Sequence, residues 1–155
     1  MKKLLYLLLL LPMSLFTSCD KDNLASFDMT LTMGSVTEYD GTFYAVANEN
    51  LTIESLTVNP VGGKNTILAN VSFFIDGIPL TGGYPWEVLT PYTFSTATLA
   101  PGVHTIGITG DILQEDQPIN NFAVTVPLVL VPGPEDLPSE APDLGSYSHT
   151  ISFTN

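Results

Sequence analysis

Arginine is absent from this 155-residue chain, and only four lysines occur, two of them at positions 2 and 3. Cysteine and tryptophan occur once each and histidine twice, against sixteen acidic residues, all of them beyond residue 19. The formal charge is −12; beyond residue 18, two lysines face all sixteen acids, which gives −14. A surface of that sign repels phosphate backbones and excludes nucleic acid as a partner. One cysteine excludes an internal disulfide and a cysteine-rich zinc site. No apolar run is long enough to span a bilayer: Leu4 to Phe16 is 13 residues, against the roughly 20 that a spanning helix needs. Helical periodicity is missing as well. What remains is 45% hydrophobic residues with 12 Gly and 12 Pro, the composition of one ordinary globular domain with short additions.

The first residues have the layout of a secretory signal peptide: Lys2 and Lys3, then the apolar run Leu4 to Leu11 broken by Pro12, then small residues. The single cysteine sits where cleavage would fall. Phe16-Thr17-Ser18-Cys19 resembles a bacterial lipobox, in which a peptidase cuts before a lipid-modified cysteine. Ser18 meets the need for a small residue, and Phe16 stands where Leu is commoner. The other reading of Cys19 is a buried free thiol near an ordinary cleavage site. Asp20-Lys21-Asp22-Asn23 is similar to the short acidic tether of Bacteroidetes-type surface lipoproteins. That resemblance implies a lipid anchor on Cys19, an outer-membrane location and a cell-surface orientation. In enterobacterial lipoproteins an Asp beside the cysteine would imply inner-membrane retention instead.

Beyond the leader the period is two. Phe27, Met29, Leu31 and Met33 alternate with polar residues, and so do Ala69, Val71, Phe73 and Ile75. The longest stripe is Phe122, Val124, Val126, Leu128 and Leu130. Asp40-Gly41, Asp76-Gly77, Gly62-Gly63, Gly82-Gly83 and Pro101-Gly102 supply the dihedrals that tight turns require. Seven or more strands with polar outer faces predict an all-β, antiparallel two-sheet sandwich. The expected organisation is a leader over 1–18, a tether over 19–26 and a sandwich over 27–131. An acidic, proline-rich linker over 132–145 and a C-terminal strand over 146–155 complete it. In that last strand Tyr147, His149, Ile151 and Phe153 alternate with Ser and Thr.

Val71-Ser72-Phe73-Phe74-Ile75-Asp76-Gly77 resembles the strand and turn of bacterial immunoglobulin-like domains. Pro91-Tyr92-Thr93-Phe94 and Leu99-Ala100-Pro101-Gly102-Val103-His104-Thr105-Ile106 resemble their next strand, turn and strand. The likeness covers about 51–131 and also fits fibronectin type III-like domains. It implies a sandwich of the kind found as spacers and binding modules in secreted and surface glycan-handling proteins. It transfers no ligand, because one fold hosts many functions.

Little in the sequence suggests catalysis. A nucleophile needs a base, and His104 and His149 are the only imidazoles. Both fall in predicted strands, where packed or surface roles are the ordinary expectation. Gly-x-Ser-x-Gly, HExxH and phosphate-loop motifs are absent. Asp111, Glu115, Asp116 and Asn120 gather oxygen ligands that could hold calcium, although their spacing matches no EF-hand. Read plainly, they form a solvated loop, and no other cofactor is implied. Tyr84, Trp86 and Tyr92 follow the Gly82-Gly83 turn, and aromatic faces on such a loop can stack on sugar rings or anchor a protein. The alternative is that Trp86 caps the core. The expected function is a lipid-anchored, non-enzymatic binding or spacer module for glycan or a host surface. The alternative is a structural subunit of a surface complex or fibre joined by strand pairing.

Overall fold

The computed structural model describes the backbone of residues 18–19 and residues 24–83 and 87–154. The chain is all-β, with no α-helix among the described residues. Among the described residues ten strands follow one another as β1 (Ser18–Cys19), β2 (Phe27–Tyr39), β3 (Thr42–Val46), β4 (Asn50–Pro60) and β5 (Thr66–Ile75). They continue as β6 (Ile78–Pro79), β7 (Tyr92–Ser95), β8 (Gly102–Gln114), β9 (Asn120–Val131) and β10 (Gly145–Phe153).

Local chemistry sets the turns. Asp40-Gly41 and Asp76-Gly77 both have positive φ at each residue (48° and 76°; 49° and 78°). That is the two-residue hairpin geometry which Asp-Gly favours and which matches strand twist. Each hairpin closes within two residues of its strands, β2 to β3 and β5 to β6.

The strand order is β6-β5-β8-β9-β3-β2-β4-β7, with β1 on β9 and β10 on β2. Strand β2 serves both halves of this curled sheet. Phe27 to Gly34 pair with β4, and Thr37 to Tyr39 pair with β3. The change of partner coincides with Ser35, whose φ of 64° interrupts the extended backbone. Before that point Phe27, Met29, Leu31 and Met33 alternate inward and are buried. They meet Phe43, Phe73, Ile106, Ile108 and Leu128 in one core.

The alternating pattern leads one to expect a purely antiparallel sheet, and here the structure differs. β3 and β9 run parallel, from Phe43 opposite Leu128 to Val46 opposite Val131, so the sheet is mixed. The Asp40-Gly41 hairpin turns β3 back along the last long strand in its own direction. Periodicity fixes which side chains face inward but carries no information on the direction of a neighbour.

The C-terminal strand belongs to the same sheet. β10 lies antiparallel to β2 from Tyr147 opposite Met33 to Phe153 opposite Phe27. Ile151 and Phe153 are buried, and the Phe153 ring stacks on Phe27 with centroids 4.4 Å apart. Between β9 and β10 the acidic segment makes a 3₁₀ turn, Pro134–Asp136, and buries Leu137.

Candidate functional site

The molecule has two distinct ends. At one, Gln114 ties the start of the fold down. Its Oε1 accepts from Ala25 N (2.8 Å), while Nε2 donates to Ala25 O and to Thr66 Oγ1, each at 2.9 Å. Val61 N and Gly62 N donate to Ser26 O at 2.9 and 2.7 Å. The backbone of Cys19 lies at the same end, opposite Phe122 on β9. This end of the domain, where a tether was expected, is therefore built from Ala25-Ser26, the β4–β5 loop and the β8–β9 hairpin.

At the other end, where β2 changes partners, an open cleft of ≈ 610 Å³ forms between Gly34-Ser35, the start of β4 and the segment leading into β10. Glu49, Glu54, Ser35, Thr52 and Ser146 provide its polar lining, and Val46 and Leu144 its apolar part. Ser146 Oγ donates to Glu54 Oε1 at 2.7 Å. Gly34 makes room for that carboxylate, since a Cβ there would collide with Glu54 Oε1. From Phe27 to Gly34 an extended strand rises roughly 23 Å, so the cleft and the tether end lie at opposite poles. Two carboxylates, three hydroxyls (Ser35, Thr52 and Ser146) and an apolar shoulder suit a neutral or cationic polyhydroxylated ligand and repel an anionic one.

Nothing in the sequence pointed to this cleft. Its residues come from four separated segments and make no motif; a Gly within an otherwise alternating strand, Gly34, is the one local sign of a close approach.

The residues singled out from sequence are distributed differently. Tyr84 and Trp86 lie outside the described residues. Tyr92 is half-buried in β7 opposite Ile53 and packs against the core. Asp111 lies in β8, Glu115 and Asp116 follow it in the turn, and Asn120 opens β9. Asn70 Nδ2 and Asn121 Nδ2 donate to the two Asp111 carboxylate oxygens, both at 2.5 Å. Glu115 and Asp116 occupy the hairpin turn, and Asn120 Nδ2 donates to Pro118 O at 2.8 Å. Among the described residues no group of three or more His, Cys, Asp or Glu is arranged to hold a metal ion. Each oxygen of the Asp111 carboxylate already accepts one side-chain amide.

His104 is held at both ring nitrogens. Nδ1 lies 2.6 Å from Asp76 Oδ2, and Nε2 lies 2.7 Å from the Ala100 carbonyl. A carbonyl only accepts, so Nε2 must carry a proton, and a carboxylate at Nδ1 favours a second one. Burial alone would lower the His104 pKa, but hydrogen bonds to Asp76 and Ala100 and the charge of Asp76 outweigh it and raise it. Burial likewise works to raise the Asp76 carboxyl. Its bonds to His104 and to Thr105 N (2.9 Å), with the imidazolium charge, hold it below the usual value. An imidazole so engaged has no free lone pair to act as a base. It fastens the turn before β8 to the β5–β6 hairpin.

His149 has the opposite setting. Its Nε2 is buried without a hydrogen-bond partner, and its ring meets Phe43 edge-on at 6.1 Å. Burial lowers its pKa, and the charge of Glu38 offsets this only in part.

Comparisons with protein-family models, with curated proteins and with solved structures return no match to this chain. Among the described residues no helix is long and apolar enough to cross a membrane.

Proposed function

We propose that the protein is a lipid-anchored surface lipoprotein whose single immunoglobulin-like domain works by binding or spacing and not by catalysis. One observation carries this reading: the backbone of Cys19 runs beside β9 at one pole, while the cleft opens at the other. Acylation at Cys19 would hold the first pole at the membrane and present the second outward. The strand neighbours support the immunoglobulin-like description. β2, β4 and β7 form one run and β5, β8 and β9 another, as the A-B-E and C-F-G strands do in such sandwiches. β10 is an addition to that plan.

The ligand class that suits the cleft is a neutral glycan, with Glu49, Glu54 and Thr52 receiving and giving hydrogen bonds to sugar hydroxyls. Expression with a labelled fatty acid, comparing wild type with Cys19→Ala, tests the anchor. Label in the wild type alone is expected, and equal label in both would remove the anchor. A glycan array then tests the cleft, with Thr52→Ala expected to weaken binding by ~0.5–1.5 kcal/mol for a neutral hydrogen bond lost, and Glu54→Gln by up to ~1.5–3 kcal/mol for one to a charged group. Unchanged binding by both folded variants would move the site elsewhere.

A second reading, assembly through strand pairing, is favoured by β10. It lies outermost on β2 with no strand beyond it among the described residues. Residues 145–153 carry no acidic or basic side chain except His149. An uncharged, unpaired edge is a ready template for another strand.

A further inference from the structure

We propose that the tether end of the domain rests on the phospholipid surface holding the acyl chains of Cys19, through an apolar row made by Ile67, Leu113 and Ile119. This deepens the lipid-anchor reading and rests on it. Ile67 lies opposite Leu113 in the β5–β8 ladder, and Ile112 lies opposite Asn120 in the β8–β9 ladder. Leu113 follows Ile112 and Ile119 precedes Asn120, so one further step of that ladder would set Ile119 beside Leu113 and complete a row across the end of the sheet. Thr66, Leu68, Ile112 and Gln114, which alternate with them, are buried. The row therefore sits on the outer face, with Ile67 54% and Ile119 66% exposed. Val61, 62% exposed, stands on the adjoining loop.

The length and exit point of the chain say what covers this row. Cys19 is opposite Phe122, two positions beyond Asn120 on β9, or roughly 7 Å along a strand. Acyl chains leaving Cys19 would enter the bilayer beside Ile119. Five peptide steps from Cys19 to Leu24, the first buried core residue, reach at most about 18 Å, so this end cannot move far from the surface.

Charge is consistent with a shallow contact. Lys64, one of the two lysines beyond residue 18, belongs here: its Nζ donates to the Glu115 carbonyl at 3.1 Å. Glu115 and Asp116 lie on the turn between Leu113 and Ile119. Carboxylates stay among headgroups and water, and so stop the row from sinking past the interface.

The test uses the full acylated chain in vesicles of phosphatidylethanolamine and phosphatidylglycerol. An environment-sensitive fluorophore is attached at Ile119→Cys, at Ile67→Cys or at Val103→Cys. The last is a control, 56% exposed at the far end of β8. An acylated Cys19 has no free thiol, so labelling of the parent chain would by itself signal a missing anchor. The expected result is a blue shift and gain of emission at residues 67 and 119 on transfer to vesicles, quenched by nitroxide lipid, with residue 103 unchanged. A chain that floats with the vesicles while all three probes remain in water would overturn the proposal and leave the anchor standing. A parent chain that takes the label and does not float would overturn the anchor and this proposal with it. A blue shift at residues 67 and 119 without vesicles, growing with protein concentration, would show that a second copy covers the row and would likewise overturn the membrane assignment.

Discussion

His104 and His149 are the two histidines of the chain, and their surroundings give them opposite pH signatures. His104 has a folded pKa above 6.5. Its stabilising effect is fully present below that value and is lost as pH rises through the raised one. His149 has a folded pKa below 6.5. Its effect is intact above 6.5 and is lost as pH falls through the depressed value, because the unfolded chain takes up the proton first. Asp76 adds a third contribution, present above 3.8 and lost as pH falls through its lowered folded value. Denaturant melts as a function of pH should therefore separate the residues. His149→Phe is expected to flatten the loss of stability on the acid side of pH 6.5, and His104→Gln to flatten the loss on the alkaline side. Identical pH profiles for wild type and both variants would refute these assignments. The residue scale also shows where composition misleads. A histidine in an alternating strand reads as neutral filler, yet His104 is a cross-turn clamp and His149 carries a buried nitrogen with no partner.

At the scale of elements, β10 joins the far C-terminus to the first long strand. Hydroxyls on its outer face meet those of β2, Thr150 with Thr30 at 3.1 Å and Ser148 with Thr32 at 2.8 Å. On its inner face Ile151 and Phe153 enter the core. Burial of two such side chains is worth about 3–6 kcal/mol, a large share of the 5–15 kcal/mol typical of a domain. A chain ending at Pro142 is expected to melt on the order of 10 °C lower or more, as followed by circular dichroism. An unchanged melt would show β10 to be dispensable. β9 ends at Val131 and β10 begins at Gly145, and the intervening chain can extend to roughly 43–47 Å. That is enough for docking at home or on a neighbour. Sizing of the full chain across concentrations distinguishes them: a dimer that vanishes on truncation would identify strand exchange.

At the scale of the whole molecule, one acidic domain is polarised along β2, with Cys19 at one pole and the cleft at the other. The strands were legible because burial on one face forces a period of two, as in Phe27 to Met33 and Phe122 to Leu130. The Asp-Gly hairpins were legible because so few residues tolerate paired positive φ. The parallel pairing of β3 with β9 was not legible, because strand direction depends on where a distant partner lies. Neither was the pairing of the Asp111 carboxylate with the side-chain amides of Asn70 and Asn121. The cleft and the Ile67-Leu113-Ile119 row share that origin. By itself the sequence determined which residues face inward and where the chain turns, since these depend on near neighbours. Only the tertiary structure decided which remote segments meet, because long-range contacts follow from the order and direction in which strands pack, and no local pattern encodes them.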